Sequence, residues 1–460
     1  MKNHLKKRCI IFFGTTLIIL CGFLFNNNAN IKISKFNSNN NNINIASPPS
    51  FEQYYTWGGS GNDIGFGVAL DAADNVYVSG YTESFGALSQ DMCLVKFNLN
   101  GVEWNHTWGG SGDESGNDVA LDSVGNAYVA GQTSSFGAIN YDLCLVKFNS
   151  TGVEWNHTWG GSGDDHGRSV ALDSGSNAFV SGYTESFGAI NYDLCLVKFN
   201  STGVEWNRTW GGGGYDIGFG VALDSAGNAY VAGYTGSFGA VNNDLCLVKF
   251  NSTGGVEWNS TWGGAGTDVG HDVALDSAGN AYVAGYTYSF GAILRDLCLV
   301  KFNSTGSVEW NYTWGGTGHD YGAEVVLDSS GNIYVAGSTN SFGVNGYETC
   351  LIKFNSTGVE WNRTWGGSEK EEGNDLVLDA SGNIYVAGFT ESFGAINSDI
   401  LLVKFRIQSS NDGSQIPDIL FFIIIGIIIG GITGGTGIAI IIIVGKILPR
   451  KKRARVSKAT

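Results

Sequence analysis

A Thr-Trp pair recurs at Trp57, Trp108, Trp159, Trp210, Trp262, Trp314 and Trp365, at steps of 51, 51, 51, 52, 52 and 51 residues. This regularity restricts the fold more than any other feature of the chain. One supersecondary unit has been copied seven times, and a period near 50 built of short strand patterns is that of a propeller blade. In the copy that starts at Gly218, GFGVALD is a short apolar strand closed by Asp224-Ser225-Ala226-Gly227-Asn228, where Gly227 supplies the positive φ of a tight hairpin. NAYVAGYT follows, rich in the aromatic and β-branched residues that strands prefer. The longer loop GSFGAVNN leads to DLCLVKFN, and Asn251-Ser252-Thr253-Gly254-Gly255 turns the chain into VEWNSTW. Each copy therefore reads as four strands, two tight hairpins and two longer loops, with no helical period.

The ends of the array predict its closure. FEQYYTW at the start aligns with the fourth strand of a copy (VEWNxTW), and ILLVKF at the end aligns with the third. The N-terminal strand is expected to complete the last blade, which removes the free edges of an open array. The expected fold is all-β: a closed seven-bladed β-propeller, with a transmembrane helix following it.

The signature W-G-G…D-x-G…V-A-L-D-S-x-G-N-x-Y-V-A-G-x-T…D-x-C-L-V-K-F-N, over roughly residues 51–405, resembles the seven-bladed β-propeller repeat (SBBP) family. The resemblance implies architecture and a cell-surface context. It implies no chemistry, because members mostly lack an assigned activity and fold alone does not fix function.

Outside the repeats the chain divides readily. Residues 1–25 carry a basic cluster (Lys2, Lys6, Lys7, Arg8) and then an apolar run, which reads as a signal peptide or signal anchor. Residues 26–50 form an Asn-rich spacer expected to be disordered, 51–406 the propeller and 407–418 a polar linker. Residues 419–445 are apolar without a charge, long enough for a membrane-spanning helix. The basic tail at 446–460 is then cytoplasmic and the propeller extracellular by the positive-inside rule. Gly426, Gly430 and Gly434 fall on one face of that span and could support oligomers by helix packing.

Charge separates along the same boundaries. The stretch 51–406 holds 13 of the 26 Lys and Arg but 40 of the 42 Asp and Glu, a net of −27. Such a surface repels phosphate backbones, which excludes nucleic acid as a partner. Cys93, Cys144, Cys195, Cys246, Cys298 and Cys350 occupy one column of the third strand, with Leu401 in the seventh copy. Equivalent positions of adjacent blades lie beyond the roughly 7 Å Cα separation a disulfide tolerates, so packed thiols are expected. Asn-x-Thr sequons stand in the turn before the fourth strand (Asn149, Asn200, Asn251, Asn303, Asn355) and on that strand (Asn105, Asn156, Asn207, Asn259, Asn311, Asn362). All eleven are glycosylation candidates.

Candidate sites fall on the face that carries the longer loops, joining fourth to first and second to third strands. A carboxylate column there (Asp63, Glu114, Asp165, Asp216, Asp268, Asp320, Glu371) offers oxygen ligands for Ca²⁺. The competing reading is that each carboxylate accepts amide hydrogens in its own Gly-rich turn. A second acid column (Asp91, Asp142, Asp193, Asp244, Asp296, Glu348, Asp399) and a Lys column (Lys96, Lys147, Lys198, Lys249, Lys301, Lys353, Lys404) recur in every copy and fit blade architecture.

Positions that differ between copies are the better guide to a unique site. Just before the first strand's apolar run the columns read Phe66, Asn117, Arg168, Phe219, His271, Ala323, Asn374, then Gly67, Asp118, Ser169, Gly220, Asp272, Glu324, Asp375. Arg168, His271, Asp272 and Glu324 are the expected lining of a ligand site at the central channel. Five propeller histidines set up no recurring base–nucleophile spacing, and no phosphate loop or Cys/His metal spacing occurs. The sequence thus favours a membrane-anchored binding module for a surface glycan or protein. An extracellular hydrolase or lyase using channel carboxylates, and a structural coat protein, are the alternatives.

Overall fold

The computed structural model describes Cys9–Phe13, Thr16–Leu20 and residues 49–406 except 88 and 344–345. The chain divides into Met1–Ile45 and Ala46–Thr460. In the first unit Cys9–Phe13 pairs antiparallel with Thr16–Leu20. Among the described residues no helix is long and apolar enough to cross a membrane. The span expected at 419–445, the linker, the basic tail and nearly all of the spacer lie outside the described residues.

The second unit contains seven four-stranded antiparallel sheets. Their first strands are Asp63–Leu70, Glu114–Leu121, Asp165–Leu172, Asp216–Leu223, Asp268–Leu275, Asp320–Leu327 and Glu371–Leu378, which number the blades one to seven. In blade one these are followed by Val76–Thr82, Asp91–Asn98 and Gly101–Trp108, in sheet order. Blade seven consists of Glu371–Leu378, Ile384–Thr390, Asp399–Arg406 and, as its fourth strand, Ser50–Trp57. Pairing runs from Ser50 against Arg406 to Trp57 against Ile400. The expected closure is present and begins one residue before the expected boundary. First strands of successive blades touch all round the ring, including blade seven against blade one.

Burial explains why the strands differ in composition. Third strands such as Asp142–Asn149 are buried on both faces, because each sheet is covered by a neighbour on either side. They read as near-continuous apolar runs for that reason. Fourth strands such as Gly152–Trp159 are the outer edges and alternate between exposed and half-buried positions. Seven apolar clusters form the core, one at each interface between adjacent blades. At the closing interface Val68, Val78 and Phe97 of blade one meet Tyr385, Ile400 and Leu402 of blade seven. The fourth-strand Trp also joins blades: the Trp108 ring lies 4.9 Å from that of Phe136 in the next blade.

All six thiols of the third-strand column are buried and free, and burial pushes them well up from the ordinary thiol range. Leu401 fills the same position in blade seven at 1% exposure, as expected of a packing site.

Candidate functional site

First strands run from the long-loop face toward the hairpin face, so their opening residues stand at the mouth of the channel. The seven loop carboxylates begin these strands and are 0% exposed. Each is consumed within its own blade. Asp216 accepts the hydroxyls of Thr235 and Ser237 and the amide of Gly212, the last at 2.8 Å. Asp63, Glu114, Asp165, Asp268, Asp320 and Glu371 repeat the Thr and Gly contacts. Among the described residues no group of three or more His, Cys, Asp or Glu could hold a metal ion. Local Thr, Ser and Gly donors occupy these carboxylates, the arrangement that the turn reading describes.

The second acid column ties down the loop between the second and third strands of its own blade and packs against the turn that enters the next. Asp142 accepts the Ala138 amide, and Asp165 of the next blade raises its proton affinity further after burial has done so. The first Gly of each Trp-Gly-Gly turn lies between the two carboxylates: a Cβ on Gly160 would sit against Asp142 and 2.7 Å from Asp165 Oδ2. The Lys column serves the opposite end of each blade. Lys147 lies 3.2 Å from Glu154 and over the Tyr128 ring, and every lysine of the column has such a Glu partner.

The innermost strands are not regular. In every blade the first strand slips register against the second just after its Gly, for example between Gly167 and Ser169. A bulge re-aims the extra residue, here Phe66, Asn117, Arg168, Phe219, His271, Ala323 or Asn374. Two of these are tied across to the next blade: Asn117 donates to the Gly167 carbonyl at 2.7 Å and Asn374 to that of Gly65 at 2.8 Å. Arg168, Phe219 and His271 instead stack in succession. The Arg168 guanidinium lies 5.8 Å from the Phe219 ring, and the His271 ring 5.1 Å beyond it at 16°.

One residue further in, the next layer carries four carboxylates. Asp118 accepts the Val170 amide and the Ser169 hydroxyl, both at 2.8 Å. Asp375 accepts the Val68 amide at 2.5 Å, and Asp272 that of Val325 at 3.2 Å. Each thereby clamps the following blade. Glu324 is the odd member: the Leu376 amide it would reach is already given to Asp375. It hydrogen-bonds Asp272 instead. Burial, then Asp272 and Asp375, raise Glu324 well above the carboxylate range, while burial holds Asp272 at about 6. Of the pair, Glu324 has the higher proton affinity, with Asp272 as its hydrogen-bond partner. Asp118 and Asp375 are raised as well, by burial first, and Asp118 and Glu324 remain partly exposed.

The four residues expected at the site are thus brought together as two levels. Arg168 and His271 share the upper one, Asp272 and Glu324 the lower. Missing from the sequence reading is what surrounds the upper level. Tyr141, His166, Tyr183, Tyr192 and Tyr215 follow one another with ring centroids 4.7–5.6 Å apart. Phe219, His271, Tyr286, Tyr288 and His319 form a second run at 5.1–6.4 Å. Arg168 joins the two, 5.3 Å from the Tyr183 ring on one side and over Phe219 on the other. Arg295 extends the belt from Tyr286 at 5.1 Å to Tyr321 at 4.8 Å. Burial, Arg295 and Arg168 together hold His271 down at about 4, so it is neutral at ordinary pH. Burial, then Arg168, does the same to His166.

Both sequon columns lie away from this belt. The fourth-strand asparagines are exposed on the outer edges. The turn asparagines are half-buried, and Asn149 accepts the amide and hydroxyl of its own Thr151 at 2.8 and 2.6 Å.

This architecture is that of a closed seven-bladed β-propeller with one decorated face. The model of the beta-propeller repeat family matches the chain in four places, residues 108–137, 206–239, 262–291 and 314–343. No curated protein matches the chain. Among solved structures it is similar to a protein of unknown function from Bacteroides caccae (14% identity, 54% of this chain and 79% of that one, TM-score 0.36). It is also similar to BamB from Moraxella catarrhalis (12%, 78% and 100%, 0.40) and to the β-propeller domain of the Trilobed protease from Pyrococcus furiosus (7%, 81% and 100%, 0.42).

Proposed function

We propose that this protein is a membrane-anchored, extracellular binding module that takes a surface glycan on its long-loop face. The aromatic belt from Tyr141 to Tyr321 is the observation that supports the reading best. Sugar rings present C–H faces that stack on aromatic planes, and Tyr adds a hydroxyl for their polar edges. The same face holds most of the exposed large apolar side chains. Ile139, Ile190, Val241, Ile293 and Ile396 are 72–85% exposed at the loop tips, and Tyr215 and Tyr288 stand at 51% and 46%. Exposed apolar groups gathered on one face mark a surface that is covered when the protein works. The membrane anchor rests on the apolar stretch 419–445 and its basic flank.

The test is a glycan array probed with the full chain in detergent, then with Tyr183→Ser and Tyr288→Ser. Selective binding that each substitution weakens at least tenfold, with the melting temperature held, is expected. Binding to no surface glycan, or binding indifferent to both changes, would reject the reading.

One observation favours a second reading, that of a hydrolase or lyase. Glu324, raised well above the carboxylate range, stands beside Asp272, raised only to about 6, an unequal pair of the kind general acid and base catalysis uses. Turnover of a bound polysaccharide that Glu324→Gln abolishes would support it. Unchanged chain length after prolonged incubation would exclude it.

A further inference from the structure

Positive charge is scarce on this protein, and where it is left unneutralised is informative. The seven lysines of the third strands are ion-paired, and so is Lys370, 2.8 Å from Glu372. Arg208, on an outer edge, spends its guanidinium on the carbonyls of Asn207, Thr253 and Gly254. Arg168 and Arg295 are different. Neither has a carboxylate partner among the described residues, and each keeps a buried Nε–H without an acceptor. Both are held in place by aromatic faces, which orient a guanidinium without cancelling its charge. Arg168 has only a long contact, 3.4 Å, to the Tyr183 hydroxyl.

An unpaired guanidinium half-buried against rings is costly unless an anion arrives to meet its fork of donors. Two such groups act on one neutral imidazole, His271, at the channel mouth, in a domain whose net charge is strongly negative. Arg363 donates its Nε–H to the Pro49 carbonyl and Arg406 is exposed at a strand end, so burial and an unmet Nε–H together, in an acidic surround, single out this spot. We propose that the mouth between blades three and six binds an acidic saccharide, with Arg168 and Arg295 receiving its carboxylate or sulfate groups and the flanking tyrosines receiving its sugar rings. This rests on the glycan-binding reading above and narrows it to one ligand class.

The experiment is calorimetric titration of the full chain with oligogalacturonate and with neutral oligogalactose of equal length. Dextran sulfate against dextran distinguishes sulfate from carboxylate. The acidic member of at least one pair should bind at least tenfold tighter, and its affinity should fall as salt rises. Arg168→Gln and Arg295→Gln should each lose tenfold or more, Arg168→Lys should recover part of that loss, and Arg208→Gln should change nothing. A matching melting temperature shows that each variant is folded; if a Gln variant unfolds, the Lys variant and the salt dependence decide. Neutral and acidic sugars binding alike would overturn the acidic class while leaving the glycan reading in place. Failure of all four sugars would overturn both. Binding of poly-glutamate as tight as that of the acidic sugars would overturn the saccharide assignment.

Discussion

Glu324 offers the sharpest perturbation in the molecule. Its carboxyl shares the channel with Asp272, Asp118 and Asp375, and it alone of the four receives no backbone amide. Asp272 rises from 3.8 to about 6 in this setting. At about 1.4 kcal/mol per unit, ionising that one group costs the native state roughly 3 kcal/mol at pH above 6. Native carboxyls that hold protons which the unfolded chain has released make stability fall as pH rises. For Asp272 that stability is fully present below 3.8 and lost through about 6; for Glu324 the loss extends higher. Gln in place of Glu324 keeps the shape and an N–H donor for Asp272 but can never ionise. Glu324→Gln should therefore stabilise the protein by about 1–3 kcal/mol at pH 8, and by close to nothing at pH 4.5, where Glu324 is already neutral. His166 and His271, held at about 4, oppose the trend by destabilising the fold as pH falls below 6.5. They are common to both proteins and cancel in the difference. Urea unfolding followed by tryptophan fluorescence at four pH values measures it. A Glu324→Gln effect that is destabilising, or equal at pH 4.5 and 8, would refute the shared-proton account.

Other consequences follow from the blade architecture. Gly160→Ala should destabilise by roughly 1–3 kcal/mol in the same assay, because its Cβ has no room between Asp142 and Asp165. Asp216→Asn, which weakens the acceptor for Thr235, Ser237 and Gly212, should cost about 2 kcal/mol, while Ca²⁺ and EDTA leave the melting temperature of either protein unchanged. A Ca²⁺ shift reversed by EDTA would restore the metal reading of that column. The six third-strand thiols should resist an aromatic disulfide reagent in the native protein and react together on unfolding, as titration at 412 nm would show.

The fold was nearly all legible in the sequence because repetition samples each structural position seven times. The Thr-Trp period gave the number of blades, and FEQYYTW with ILLVKF gave the closing pair. The acid at Asp63 and its equivalents was ambiguous for a physical reason: Ca²⁺ and backbone amides both call for carboxylate oxygen, and only the Thr and Ser hydroxyls brought from another loop separate the two. At the channel, differences between copies pointed to Arg168, His271, Asp272 and Glu324, which the fold gathers on the innermost strands. The same comparison would have found more. Tyr183, Tyr234 and Tyr286 stand where other copies have Gln132, Ser338 and Phe389, and Arg295 where others have Gln90, Asn243 and Ser398. What no comparison of columns reveals is the bulge, an extra residue in one strand set by pairing. It is the bulge between Gly167 and Ser169 that leaves Arg168 as the extra residue of its strand, unpaired in the ladder, while Ser169 beside it bonds Asp118.

The most direct test of recognition at the channel mouth is amide hydrogen exchange of the full chain with and without saturating acidic oligosaccharide. Slowed exchange in the loops 185–192, 236–243 and 288–295 is the expected footprint. Protection confined to the hairpins at the opposite face, such as 173–177 and 224–228, or to the outer fourth strands, would place the ligand elsewhere and contradict the account.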